Sequence, residues 1–391
     1  MRLMKIFLSA SMLGGTAIAA QAEPNVVVSI KPVHSLVASV MQGVGTPELI
    51  VEGAASPHTY ALKPSQAANL EQADLVFWVG PGLEAFLEKP VGTIAAGAKS
   101  VELADTPGLI KIDFREGGAF EGHDHDHHAG HDHDDHDHAK AEAHDDHDHD
   151  DHDHAKAEAH DDHDHDDHDH AKAEAHDDHD HDDHDHAKAK AHDDHDHGDH
   201  DKDHAHAEEA GHDDHAHGSF DPHIWLDPEN AKVLVVEIEA ALSAADPDNA
   251  AKYSENAAAL SAQLDGLTTE ISQILEPVQG KGFIVFHDAY RYFENRFGVA
   301  AAGSITVSPE VLPGAERLRE IQAKIGELGT TCVFSEPQFE PRLVATVTEG
   351  TEAASGVLDP LGANLEDGPE LYPTLLHNMA TSMRDCLSEG S

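Results

Sequence analysis

The chain has 391 residues, with 24 Lys and Arg against 76 Asp and Glu, a formal charge of −52 with histidine neutral. That balance argues against a nucleic-acid partner, whose phosphates it would repel, and favours cations, although an acidic surface also serves solubility alone. All but five of the 37 histidines fall between residues 121 and 217, in a tract made almost entirely of His, Asp and Ala.

In chain order, Arg2 and Lys5 precede an apolar run from Ile6 to Ala19 and then Ala20-Gln21-Ala22, which predicts a secretory signal over residues 1–22. No later stretch is apolar over about 18 residues, so an exported protein with no membrane span is expected. Short apolar runs then alternate with helical stretches: Val26 to Ile30, a helix from about Ser35, Leu49 to Val51, a helix from about Ser65, and Leu75 to Val79. This is the rhythm of βαβ units and a parallel sheet.

The tract at 121–217 interrupts that pattern. A 16-residue unit, AKAEAHDDHDHDDHDH, begins at Ala139, recurs at Ala155 and Ala171, and returns at Ala187 with Lys190 in place of Glu. With no large apolar residue between His123 and His217, the tract cannot bury enough surface to offset its ordering entropy, so it is expected to be disordered without metal. Gly117-Gly118 and Gly218-Ser219 flank it as flexible joints, and it reads as an insertion into a folded lobe. Imidazole suits zinc, copper and nickel, so dense His/Asp repeats point to metal handling there.

Beyond the tract, Pro228 opens one helix, and Pro247, with Asp246 as its N-cap, opens a second that runs to about Glu276. At 1.5 Å per residue the second is roughly 45 Å long, a strut able to run the length of two lobes. Gly282 to Phe286, Thr331 to Phe334 and Val357 to Leu358 read as buried strands, with helices at about Asp288 to Phe297, Pro313 to Leu328 and Leu371 to Leu387. The fold class is therefore α/β: a first lobe over 23–245 carrying the insertion, a long rigid linking helix over 246–277, and a second lobe over 278–391. The two cysteines, Cys332 and Cys386, are expected to form a disulfide in an exported chain.

Outside the tract the histidines are His34, His58, His223, His287 and His377. Three of them stand where a strand ends or a loop leads into a helix, which is where parallel α/β sheets gather ligands. These are His58 in Gly53-Ala-Ala-Ser-Pro-His58-Thr-Tyr60, His223 in Asp221-Pro-His223-Ile-Trp225-Leu-Asp227-Pro228, and His287 in Gly282-Phe-Ile-Val-Phe-His287-Asp-Ala-Tyr290. Asp359, in Gly356-Val-Leu-Asp359-Pro-Leu-Gly362, follows another short apolar run. Three imidazoles and one carboxylate suit a four-coordinate zinc ion.

These four segments, in this order, resemble the metal-site segments of ZnuA-type proteins, the periplasmic zinc-binding components of high-affinity ABC zinc importers. The resemblance spans nearly the whole mature chain, including Ala73-Asp-Leu-Val-Phe-Trp78-Val-Gly-Pro81 and Cys332-Val-Phe-Ser-Glu-Pro337, and a His/Asp-rich loop between the first two site histidines fits it. It implies two α/β lobes joined by a long helix, zinc in the cleft between them, and a permease partner in the inner membrane. His58 and His223 would come from the first lobe, His287 and Asp359 from the second. Pro57 departs from the pattern, because some members place an acidic residue there; the fourth position then falls to Asp359, favoured here, or to water. Manganese and iron binders of the superfamily tend to carry a carboxylate where His287 stands, so a third imidazole favours zinc, while affinity order alone still admits copper or nickel.

The expected role is a monomeric carrier without catalysis, aided by the tract as a weaker zinc collector or sensor. A periplasmic zinc buffer is the alternative. A zinc hydrolase is less favoured, since H-E-x-x-H and G-x-S-x-G are absent. His34 is expected to lie at a helix start or behind the site and His377 at the surface, with Trp78 and Trp225 packing beside the cleft.

Overall fold

The computed structural model describes residues 23–115, 120, 220–306, 309, 311–329 and 332–389. The expected signal at 1–22, the His/Asp tract with its flanking glycines, and Thr331 lie outside them. The described residues belong to one compact unit, so the two lobes share a frame.

The first sheet is built from β1 (Val26–Ile30), β2 (Glu48–Val51), β3 (Leu75–Trp78) and β4 (Lys99–Glu102), all parallel and ordered β2-β1-β3-β4. Every residue of β1 and β3 is buried, which is why these strands read as unbroken apolar runs rather than alternating ones. Helices α1 (Lys31–Val40), α2 (Pro64–Glu71) and α3 (Ala85–Thr93) supply the crossovers. α1 starts four residues earlier than expected, because Pro32 sits in its first turn, where a missing N–H costs nothing. The sequence reading missed α3, which carries Pro90 in its interior, and β4, a short Lys-Ser-Val-Glu edge.

Two long helices follow. In α4 (Pro228–Ala245), Asp227 accepts the Glu229 N–H as N-cap and Pro228 occupies the first turn. In α5 (Ala250–Leu275), Tyr253, Ala257, Leu260, Leu264, Leu267, Ile271 and Leu275 are buried, an apolar stripe at three- and four-residue spacing. Single 3₁₀ turns at Pro247–Asn249 and Glu276–Val278 extend it at both ends. The α-helical part alone is about 39 Å long. It packs on α1 and α4 of the first lobe and on α9 (Leu371–Glu389) of the second, so it joins the lobes along their length.

The second sheet repeats the first. It comprises β5 (Gly282–Val285), β6 (Ala300–Ser304), β7 (Cys332–Ser335) and β8 (Ala354–Val357), all parallel in the order β6-β5-β7-β8. Helices α6 (Arg291–Phe297), α7 (Ala315–Leu328) and α8 (Arg342–Thr348) connect its strands. α6 begins three residues later than expected, since His287 to Tyr290 form a loop after β5. It ends at Gly298, whose φ of 68° is left-handed and whose N–H returns to Glu294 O. β6, made of Ala, Gly and Ser, and the short α8 escaped the sequence reading, and β8 lies earlier than Val357–Leu358. Cys332 and Cys386 form a disulfide that ties β7 to α9.

Buried apolar residues from both sheets and from α1, α4, α5 and α9 form one continuous core. Polar ties cross between the lobes as well. The Trp225 indole donates to Pro360 O at 2.9 Å, the Tyr372 hydroxyl to Trp225 O at 2.6 Å, and Arg296 grips both oxygens of Asp227 at 2.7 Å. Among the described residues no helix is long and apolar enough to cross a membrane.

Candidate metal centre

His58 lies in a single 3₁₀ turn, Pro57–Thr59, after β2. The turn is held down by Tyr60, whose hydroxyl donates to Ile50 O at 3.1 Å, and Pro57 presets its first φ. The half-buried ring of His58 points toward His223, which comes from the irregular segment that follows the insertion. That segment is anchored at its root: Asp221 N–H donates to Ile112 O at 2.8 Å, so the chain leaves and rejoins the lobe at one place, two residues from His223.

Asp221 fixes the His223 ring. Its Oδ1 accepts both the backbone N–H (2.9 Å) and Nδ1–H (2.7 Å) of His223, closing a two-residue turn. With the ionised Asp221 as acceptor, the ring proton sits on Nδ1 and Nε2 is left to face the cleft. His287 is held in the same way from the other lobe. It follows β5, and Glu336, at the end of the neighbouring β7, accepts its Nδ1–H at 2.7 Å and its backbone N–H at 3.3 Å. Carboxylate–imidazole pairs of this kind orient metal-ligating histidines and raise their basicity.

The three Nε2 atoms converge. His58 Nε2 lies 3.3 Å and His287 Nε2 lies 3.4 Å from His223 Nε2, and the ligand atoms of all three residues are within 4.8 Å of one another. A tetrahedral ion with Zn–N bonds of roughly 2.0–2.1 Å requires N···N separations of about 3.3–3.4 Å. A shared ion would fit between nitrogens at that distance.

Burial, followed by the neighbouring rings, holds the imidazoles of His58 and His223 well below the usual histidine range, so both are neutral at physiological pH and ready to bind metal. His287 is raised: burial opposes its charge, but Glu336, with Asp221 and Asp288, outweighs it. Asp221 is itself pushed up to about 7 by burial.

Asp359 does not join this group. Its Oδ1 accepts Leu361 N–H (3.1 Å), Gly362 N–H (2.9 Å) and Gln338 Nε2–H (2.9 Å), and its Oδ2 accepts Ala363 N–H (2.6 Å). The carboxylate is hydrogen-bonded to the turn after β8 and to Gln338, and it stands outside the group of three histidines whose ligand atoms converge. His34 is buried on α1 against Pro47 O at 2.9 Å, and His377 pairs at the surface with Glu270 at 3.3 Å. Trp225 lines the centre, whereas Trp78 packs in β3 and donates to Ser100 Oγ at 3.0 Å.

Two spaces adjoin the rings. A cavity of about 10 Å³ is walled by Ser56, Pro57, Trp225, Gln338, Phe339 and Leu361 beside the three histidines, and a wider one of about 320 Å³ opens past Phe114, Arg115, Phe120 and Asp288. At that mouth Arg115 forks onto Asp288 at 2.7 and 2.9 Å and reaches Glu294 at 2.6 Å, tying the segment before the insertion to α6. Sequence reading missed the parts played by Asp221, Glu336 and Arg115. An Asp two residues before a site histidine was the available signal for the first, and a Glu directly after a strand next to β5 for the second.

The profile of the family described as zinc-uptake complex component A, periplasmic (ZnuA), matches residues 26–386. The chain belongs to the ZnuA family. It is 50% identical over 387 residues, covering 98% of both chains, to the high-affinity zinc uptake system protein ZnuA of Brucella suis, and 33% identical to that of Yersinia pestis, over 93% of this chain and 91% of the other. In fold it matches a crystal structure of ZnuA (TM-score 0.61, 20% identity, 93% of this chain and 99% of that one). It also matches the periplasmic zinc-binding protein TroA from Treponema pallidum (TM-score 0.61, 16% identity, the same coverage). Members of the ZnuA family are solute-binding proteins and not enzymes, so a three-histidine centre that would also suit a hydrolase belongs here to a binding protein.

Proposed function

We propose that this ZnuA-family chain captures a zinc ion in the periplasm, between its two lobes, on His58, His223 and His287, and hands it to the permease of an ABC importer. The observation that carries this reading is the spacing of the imidazole nitrogens, 3.3 and 3.4 Å, which is the edge of a zinc-sized tetrahedron. Nitrogen ligands favour zinc over manganese, which prefers oxygen. The fourth position is left to an exogenous ligand. The protein acts as a monomer, with 23–245 and 278–391 supplying opposite sides of the cleft and 246–277 holding them at a fixed separation.

The test of delivery is growth of zinc-starved cells that lack the chain. Complementation by the wild type and failure by His223→Ala, at equal protein level, is the expected result; equal growth would remove the histidine centre from uptake.

For the tract, we propose a weaker collector or sensor that raises the local zinc concentration. Its roots at Ile112 and Asp221 meet beside His223, which favours this over a detached role. Deleting Gly122 to Gly218 should lower zinc stoichiometry and slow uptake only under starvation. If the deletion instead reduces tolerance of excess zinc and leaves uptake intact, the tract is a buffer.

A further inference from the structure

Two residues that wall the cavity beside the imidazoles each carry a buried polar atom with no hydrogen-bond partner among the described residues: Ser56 Oγ from the first lobe and Gln338 Oε1 from the second. Ser56 precedes the turn that carries His58, yet its hydroxyl does not cap that turn. The Gln338 amide is oriented by Asp359, because the carboxylate can only accept, so Nε2 donates to Asp359 Oδ1 at 2.9 Å and Oε1 is turned away from it. The other walls, Pro57, Trp225, Phe339, Pro360 and Leu361, present mainly apolar surface, apart from the Trp225 N–H already given to Pro360 O. The volume, about 10 Å³, has room for roughly one water.

We propose that Ser56 and Gln338 hold the fourth zinc ligand, a single water, between the lobes. This rests on the reading that His58, His223 and His287 bind zinc. A water that gives one lone pair to the metal keeps two O–H donors, and the cavity provides two acceptors for them, Gln338 Oε1 and Ser56 Oγ. Asp359 then acts at one remove, as the residue that turns the Gln338 amide oxygen inward. Because the two acceptors come from different lobes, separating the lobes breaks the water's hold and loosens the metal, while metal with its water draws them together.

The test is a zinc-loaded crystal structure of the full chain together with zinc affinities, measured by chelator competition, for Ser56→Ala, Gln338→Leu and the double variant. The structure should show zinc on the three imidazoles and one water within about 2.6–3.2 Å of both Ser56 Oγ and Gln338 Oε1. Each single substitution should weaken zinc by about tenfold, with apo thermal unfolding unchanged, and the double should cost little more than either single, since all three disturb one water. Zinc bound by Asp359 or directly by Gln338, or affinities unchanged in both single variants, would overturn the proposal while leaving the histidine centre intact. Zinc found away from the imidazoles would instead overturn the reading on which it rests. Should the variants fail to fold, the wild-type structure decides.

Discussion

At the crevice between β5 and β7, His287 leaves the sheet and Glu336, from the neighbouring strand end, aims its ring into the cleft. The equivalent crevice of the first lobe, between β1 and β3, also holds a buried carboxylate, Glu84, but this one is turned back on its own lobe. It accepts the Ser29 hydroxyl at 2.5 Å, Val79 N–H at 3.3 Å and Gly80 N–H at 3.0 Å. The same strand order therefore yields a ligand position in one lobe and a closed structural knot in the other. The first lobe contributes its two histidines from elsewhere, from the turn after β2 and from the segment returning from the insertion. Topology makes the crevice available; an imidazole beside the carboxylate makes it a metal position.

Four substitutions probe that contrast. The largest effect is expected from His223→Ala, which removes the ring that touches both others; zinc affinity should fall on the order of a thousandfold, beyond the loss of about 10–100-fold usual for an outer-shell partner. Chelator competition reads it, and a loss under tenfold would mean that the ring is not a ligand. Next, Glu84 is pushed up to about 7 from 4.5 by burial, ahead of the opposing hydrogen bonds, so its favourable contribution is complete below pH 4.5 and is lost as pH rises through about 7. The full loss amounts to about 3 kcal/mol. Glu84→Gln should flatten that part of the urea-unfolding stability between pH 5 and 8 while leaving zinc affinity unchanged. An identical pH profile would show that the carboxylate is not tuned in this way.

Glu336→Gln, in the matching crevice, should behave oppositely: about 10–100-fold weaker zinc binding, because His287 loses the acceptor that orients it. If Glu84→Gln and Glu336→Gln had equal effects on zinc, the contrast between the lobes would collapse. The smallest change is expected for Asp359→Asn, less than about tenfold, since its carboxylate binds backbone N–H groups rather than the ion. A loss as large as that of His223→Ala would restore Asp359 to the ligand set.

The difference between the lobes also marks what could be read from the sequence. β1, β3 and β5 are buried on both faces and showed as unbroken apolar runs, and the α5 stripe declared a long strut. β6 and β4 stayed hidden, because Ala-Gly-Ser and Lys-Ser-Val-Glu carry no strand preference and are set by pairing with β5 and β3. The three histidines were legible from their places at strand ends or loop-to-helix entries and from the family resemblance, and the structure brings them together. Asp359 also follows a strand, but a carboxylate there can serve a metal or a turn, and the sequence does not show the Leu361, Gly362 and Ala363 N–H groups that it accepts here. Glu336 was hidden for the converse reason. Its partner lies 49 residues away in sequence, and the contact exists only because β5 and β7 are neighbours.

The most direct test is calorimetric zinc titration of the full chain, in excess manganese, against a variant with His58, His223 and His287 all changed to Ala. One tight, manganese-indifferent site in the wild type that disappears in the variant, with weaker binding remaining in both, is the predicted result. A tight site that survives loss of the three imidazoles would contradict the account and move capture away from the cleft.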